Sequence, residues 1–190
     1  MALTEYKKQK FSRTFKVLDR NGNGVLDWED FTFVAFTLQQ EMNWEDDAPK
    51  LQELLGALQS YWERMLELMD TDGDGTIDAV EYLRFYSQFA EELPRLGDKV
   101  PEWALDLFQA LHRAVDFDND GCISPEEYAL YLKALGSSSD PQAAFNHFDL
   151  DGDGLLDIDE LEVLIRQYLT SDNPMDPGNW FVDGGGGDWA

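Results

Sequence analysis

The stretch Asp70-Thr-Asp-Gly-Asp-Gly-Thr-Ile-Asp-Ala-Val-Glu81 (DTDGDGTIDAVE) places carboxylates at positions 1, 3, 5, 9 and 12 of a twelve-residue span, with Gly75 at position 6. A hard divalent cation such as Ca²⁺ takes six to eight oxygens. A loop of this length can supply them from the side chains at positions 1, 3, 5 and 12, the carbonyl at position 7 and, often through water, position 9. A glycine at position 6 permits the sharp turn that wraps the loop.

Two further stretches repeat the pattern in full: DFDNDGCISPEE from Asp116 to Glu127 and DLDGDGLLDIDE from Asp149 to Glu160. A fourth, DRNGNGVLDWED from Asp19 to Asp30, departs only at its last position, where Asp30 replaces glutamate. This is the EF-hand loop, D-x-[DN]-x-[DN]-G-x5-E. The candidate metal positions are Asp19, Asn21, Asn23, Val25 (carbonyl), Asp27 and Asp30 in the first loop, and Asp70, Asp72, Asp74, Thr76 (carbonyl), Asp78 and Glu81 in the second. The third offers Asp116, Asp118, Asp120, Cys122 (carbonyl), Ser124 and Glu127, and the fourth Asp149, Asp151, Asp153, Leu155 (carbonyl), Asp157 and Glu160.

Apolar residues at helical spacing flank every loop. Phe11, Phe15 and Leu18 precede the first, with Phe31, Val34 and Leu38 after it. Trp62, Leu66 and Met69, then Tyr82 and Phe85, bracket the second. Phe108, Leu111 and Val115, then Tyr128 and Tyr131, bracket the third. Phe145 and Phe148, then Leu161, Leu164, Ile165 and Tyr168, bracket the fourth. Position 8 is Leu26, Ile77, Ile123 and Leu156, which predicts short antiparallel bridges of Leu26 with Ile77 and of Ile123 with Leu156. The expected fold is all-α: four EF-hands in two pairs packed into one compact unit.

The chain has 190 residues, 43% hydrophobic and 13% aromatic, enough for a sizeable core and unlike a disordered composition. Its net charge is −25, and the four loops hold 17 of its 39 acidic residues at metal positions. Such charge opposes binding to nucleic acid and to anionic membrane surfaces. No apolar run approaches a spanning length, and MALTEYKKQKF lacks an apolar signal region. The single cysteine, Cys122, excludes an internal disulfide and fits a reducing, cytoplasmic setting. No nucleophile–base pair, phosphate loop or zinc spacing of His112 and His147 points to an enzyme.

The loops are unevenly spaced, with 39, 34 and 21 residues between them. The spacing predicts an N-terminal pair over residues 1–93, a linker over 94–101 where Pro94, Gly97 and Pro101 break the helix, a C-terminal pair over 102–170 and a tail over 171–190. The first gap is expected to hold a break near Asn43 to Pro49 and a helix from about Leu51 to Leu68. Asp140 is expected to cap a helix with Pro141 at its first position. The stretch Ser171–Gly184 reads as non-helical, with Trp180 and Phe181 docked, and GGGGDWA as flexible.

The uneven spacing, Asp30 at position 12, the aromatic-rich helices and the tail SDNPMDPGNWF resemble the sarcoplasmic calcium-binding proteins, and in particular their bacterial calerythrin-like members. The resemblance covers residues 4 to about 184. It implies two EF-hand pairs packed face to face, a tail that helps close the interior, and a monomeric Ca²⁺ and Mg²⁺ buffer without an obligatory protein partner. Many members have a degenerate second loop, whereas Asp70–Glu81 is complete, so up to four Ca²⁺ are expected. Asp30, one methylene short, favours Mg²⁺ in the first loop. Two other readings stand beside the buffer. A sensor would expose a Met-rich groove, but the chain has 5 Met against 25 aromatic residues. A photoprotein or luciferin-binding relative would direct histidines into an aromatic cavity.

Overall fold

The computed structural model describes residues 3–180, except 98, 135 and 138. The elements in order are α1 (Glu5–Leu18), β1 (Val25–Leu26), α2 (Trp28–Met42), α3 (Pro49–Met69), β2 (Ile77–Asp78), α4 (Ala79–Leu96), α5 (Glu102–Val115), α6 (Pro125–Ala134), α7 (Pro141–Phe148), α8 (Ile158–Thr170) and a 3₁₀ turn, Pro177–Trp180.

Local chemistry sets most of these boundaries. The position-9 residues of three loops start the exit helices: Asp27, Asp78 and Asp157 each cap α2, α4 and α8 and exchange bonds with the closing acid at Asp30, Glu81 and Glu160. Asn43, in the left-handed region, ends α2, and Asp140 caps α7 with Pro141 in its first turn, as the sequence predicts. Antiparallel pairing joins Leu26 to Ile77, and a single bridge joins Ile123 to Leu156, both at the expected register.

Two local expectations are corrected. α4 passes Pro94 and stops at Gly97, whose φ is 63°. A proline in the last turn removes only one helical donor, and a glycine that adopts positive φ freely ends the helix instead. Pro101 precedes α5 as its cap residue. The tail is not wholly irregular either: Pro177–Trp180 forms a 3₁₀ turn.

One aromatic core runs through the chain. Phe11 stacks on Tyr86 at 4.1 Å and meets Tyr168 edge-on at 5.8 Å, so α1, α4 and α8 share one cluster. Across the other side Tyr61 of α3 meets Trp103 of α5 at 5.9 Å. Tyr128 packs on Phe145 and Phe148 in the C-terminal half. Met65 and Met69 are buried within this core, whereas Met175 is exposed.

The tail folds back on α1 and α8. Gly178 lies so close to α8 that a Cβ there would stand 2.2 Å from the Leu164 carbonyl, and its N–H donates to Gln167 Oε1 at 2.8 Å. Trp180 lies against the His147 ring at 4.1 Å and donates from Nε1 to the Pro174 carbonyl at 3.2 Å. Lys10, 1% exposed, donates from Nζ to the Ser171 carbonyl at 3.0 Å and to Asn179 Oδ1 at 2.8 Å. Burial, assisted by the nearby Lys7 charge, pushes its pKa down to about 7. Phe181 and GGGGDWA lie outside the described residues.

Candidate metal centre

Each loop folds back on its own first carboxylate. Asp70 accepts from the Gly73 and Gly75 N–H groups at 2.7 and 3.0 Å. Asp149 accepts from Gly152, Asp153 and Gly154 at 2.7, 3.1 and 3.0 Å, and Asp116 from Asp120 and Gly121 at 3.1 Å. Asp72, Asp118 and Asp151 accept from the N–H of position 5, and Asp74, Asp120 and Asp153 from that of position 7. Position 6 is a glycine at φ 85–91° in every loop (Gly24, Gly75, Gly121, Gly154). Position 4 shares the left-handed conformation as Gly22, Gly73, Asn119 and Gly152. The sequence carried that second requirement in plain view, since glycine and asparagine are the residues that tolerate it.

The closing acids are nearly buried: Glu81 and Glu127 are each 7% exposed, and Asp30 is 4% exposed. Backbone donors hold all four in one scheme. One oxygen accepts from position 2, as in Phe117 to Glu127 and Leu150 to Glu160 (both 2.6 Å), and the other accepts from position 9. At Glu81, burial raises the pKa, but donors from the Thr71 backbone and hydroxyl and the Asp78 backbone outweigh it and hold the group below the ordinary carboxylate range. At Asp30, burial outweighs the same kind of support and the pKa rises. Burial, then the Asp120 charge, raises the Cys122 thiol, in keeping with a position that would use only its carbonyl.

Three sets of carboxylates converge with their oxygens within 4.8 Å of one another: Asp70, Asp72 and Glu81; Asp116, Asp118 and Glu127; Asp149, Asp151 and Glu160. Among the described residues the first loop forms no such trio, because Asn21 occupies position 3 and Asn23 position 5. Asn23 turns its amide nitrogen to Asp27 Oδ2 at 3.1 Å and its oxygen to the Val25 N–H at 2.9 Å. The remaining predicted positions, Asp74, Asp78, Thr76, Asp120, Cys122, Ser124, Asp153, Leu155 and Asp157, belong to the same three loops. Clustered hard oxygens with no nitrogen or sulfur donor fit Ca²⁺ or Mg²⁺ and not a softer transition metal. Three like charges so close would repel without a cation.

Sequence reasoning missed the contacts that tie the loops to distant helices. Lys50 of α3 donates to the Asp116 carbonyl at the head of the third loop, and Arg113 of α5 pairs with Glu53 of α3. Both join the two pairs across more than 50 residues, and neither lies within a recognisable motif.

The helix–loop–helix units, the paired loops and the oxygen clusters define an EF-hand protein. An EF-hand domain-pair family model matches residues 8–87, and a second EF-hand model matches residues 142–165. Homologues include sarcoplasmic calcium-binding proteins and calerythrin. The chain is 25% identical over 171 residues both to calerythrin of Saccharopolyspora erythraea (87% of this chain, 93% of that one) and to sarcoplasmic calcium-binding proteins I, III and IV of Branchiostoma lanceolatum (89% and 92%). A calcium-binding protein of Streptomyces coelicolor, whose structure is described as a basis for calcium-mediated regulation, superposes with a TM-score of 0.72 at 27% identity, covering 88% of this chain and 99% of that one. The photoprotein clytin shares the fold at 20% identity with a TM-score of 0.69, over 95% and 97% of the two chains.

Proposed function

We propose that this chain is a Ca²⁺/Mg²⁺ buffer with four sites, working as two EF-hand pairs (1–93 and 102–170, joined by 94–101) in a cytoplasmic monomer without catalytic activity. The convergence of three carboxylate trios on buried closing glutamates carries the reading. Asp70, Asp72, Asp74, Thr76, Asp78 and Glu81, with the equivalent residues of the third and fourth loops, hold Ca²⁺. The first loop is the Mg²⁺-tolerant site. Among the described residues no helix is long and apolar enough to cross a membrane.

The interior supports a buffer over a sensor. Rigid rings fill it, the methionines that would line an adaptable groove are few, and the tail seals α1 against α8. Calorimetric titration with Ca²⁺, alone and in millimolar Mg²⁺, should show three sites little affected by Mg²⁺ and one displaced by it. A hydrophobic dye should bind apo protein more than Ca²⁺-loaded protein, and truncation before Ser171 should raise dye binding. A strong Ca²⁺-induced gain in dye binding would overturn the buffer.

One observation favours a target-binding sensor as the second reading. Phe33 and Phe36, one turn apart on α2, are 45% and 47% exposed. The photoprotein reading lacks such support. His147 meets the tail's Trp180 ring edge-on, His112 borders a small cavity of about 20 Å³, and neither is among the described residues lining the main interior cavity.

A further inference from the structure

The first loop carries the chain's two Asn-Gly pairs, Asn21-Gly22 and Asn23-Gly24. An asparagine that precedes glycine can lose its amide without an enzyme. The next backbone nitrogen attacks the side-chain carbonyl carbon, and glycine, which lacks a Cβ, leaves that approach open. All four residues are exposed, so solvent reaches them. The other loops have aspartate at positions 3 and 5, so only in the first does this chemistry fall on candidate ligands.

The two pairs are held differently. Asn21 Oδ1 accepts the Asn23 N–H at 2.9 Å, a turn that folds the carboxamide back over Gly22 and polarises its carbonyl carbon. Among the described residues neither the Gly22 N–H nor the Asn21 amide nitrogen makes a hydrogen bond. In the second and fourth loops the corresponding N–H, from Gly73 and Gly152, is tied to Asp70 and Asp149 at 2.7 Å. Asn23 makes the same kind of turn, its Oδ1 accepting from Val25 at 2.9 Å, but both of its reacting nitrogens are engaged. Gly24 donates to Asp19 at 3.0 Å, and Asn23 Nδ2 donates to Asp27 at 3.1 Å. Asn21 is therefore poised to react and Asn23 is restrained.

The step needs only water. The Gly22 nitrogen gives its proton to a solvent base and bonds to Asn21 Cγ. The Cγ–Nδ2 bond breaks, and the amide nitrogen leaves as ammonia with a proton taken back from solvent. The five-membered imide then adds one water at either carbonyl. Opening at Cγ leaves aspartate at position 3, the residue found there in the other three loops as Asp72, Asp118 and Asp151. Opening at the backbone carbonyl leaves isoaspartate, which routes the main chain through the side chain and lengthens it by one methylene.

We propose that Asn21 is a site of spontaneous deamidation, gated by the ion of the first loop. Such gating rests on the reading of that loop as a metal site. An ion held jointly by Asp19, Asn21 and the closing Asp30 fixes the Asn21 carboxamide and must leave before Cγ turns tetrahedral. Occupancy therefore protects the side chain in proportion to the bound fraction. The aspartate product adds charge at the loop centre and binds either ion more tightly, whereas the isoaspartate product displaces position 3 and loses the ion. A filled first loop is preserved, and an empty one is converted irreversibly.

The test incubates the full chain at mildly alkaline pH in two samples. One has three equivalents of Ca²⁺ and no Mg²⁺, which holds the fold and leaves the first loop emptiest; the other has excess Ca²⁺ and Mg²⁺. Peptide mapping by mass spectrometry follows each asparagine. In the first sample Asn21 should convert several-fold faster than Asn23, and an ion at ten times its Kd should slow Asn21 by about tenfold. In denaturant the two should convert at similar rates; if Asn21 keeps its lead there, sequence and not the folded loop sets the order, and the structural assignment fails. Gly22→Asn keeps the left-handed conformation that Asn119 adopts at the same position of the third loop. Its side chain obstructs the attacking nitrogen and should slow Asn21 by about tenfold or more. Absence of conversion at Asn21, or faster conversion of Asn23, overturns the site, and an unchanged rate in Gly22→Asn overturns the imide route. Calorimetry on the fresh chain separates this site from the reading beneath it. If the first loop takes up no ion, the metal-site reading fails while conversion of Asn21 stands. If it binds and the loaded chain converts as fast as the free one, the gating fails.

Discussion

The first and second loops pair through Leu26 and Ile77 and share one backbone, yet they close differently. In the second, Glu81 reaches across to Thr71 and Asp78 while keeping company with Asp70 and Asp72. In the first, Asp30 makes the equivalent bonds to Arg20 and Asp27 at 2.8 and 3.0 Å, but no carboxylate trio forms. The scaffold of backbone donors is indifferent to one methylene and to Asp or Asn at positions 3 and 5. The charge gathered at the centre is not. Loop geometry and the charge at the centre are therefore set by different residues of the same twelve.

Removing metal should give the largest effect. Each site bound at a thousandfold excess over Kd stabilises the fold by about 4 kcal/mol. Chelation should thus lower the melting temperature by about 20 °C or more for a chain of this size. Restoring Mg²⁺ alone should recover only the smaller share due to the first loop. Full recovery by Mg²⁺, followed calorimetrically, would erase the distinction between the loops.

Next come the closing glutamates. Glu81→Gln, Glu127→Gln and Glu160→Gln should each delete one Ca²⁺ from the titration. The affinity loss at that loop should exceed the ~10–100-fold typical of losing an outer-shell partner. A variant that still takes up the wild-type number of ions would show that the trio in that loop is not a site.

The first loop differs in another way: its entering helix α1 is latched to the tail by Lys10. A lysine whose pKa is depressed to about 7 in the folded chain, against 10.5 unfolded, binds its proton more weakly when folded. The unfolded chain then holds more protons between about pH 7 and 10.5, so stability rises with pH across that window, and below pH 7 the burial cost is paid in full. Lys10→Met should abolish this rise while leaving the three-trio titration intact. Denaturant melts at pH 7 and pH 9.5 measure it, and equal pH slopes in the two proteins would remove Lys10 as the source.

The loops, bridges and caps were legible because each is written within twelve residues or at one helix end. Asp27, Asp78 and Asp157 read from the sequence as metal positions alone; the structure adds that they cap the exit helices through Asp30, Glu81 and Glu160. The course of α4 past Pro94 was not legible, since a proline near a helix end costs little and Gly97 decides the stop. Nor was the Lys10 latch: its partners Ser171 and Asn179 stand more than 160 residues away, and a lysine beside Lys7 and Lys8 reads as solvated surface. The interior cavity is likewise a product of seven helices meeting, which no local pattern encodes.

The smallest and most specific effect concerns Asp30 itself. Its carboxylate already satisfies the N–H groups of Arg20, Asn21 and Asp27, so the shorter side chain is spent on the loop's own backbone. With less reach it offers an ion both oxygens less readily, which suits the six-coordinate octahedron of Mg²⁺ at about 2.0–2.1 Å better than the wider shell of Ca²⁺ at about 2.3–2.6 Å. Asn21 and Asn23 also lower the local charge, which weakens both ions but does not by itself choose between them. Asp30→Glu should therefore raise Ca²⁺ affinity at this loop by about tenfold, on the order of one charge-assisted contact, and weaken Mg²⁺ competition. The double change Asn21→Asp with Asn23→Asp should raise the affinity for both ions and leave their ratio nearly fixed. Competitive calorimetry at the first loop reads both quantities. If Asp30→Glu leaves the Ca²⁺/Mg²⁺ ratio unchanged while the asparagine changes move it, charge and not reach distinguishes the first loop from its partner.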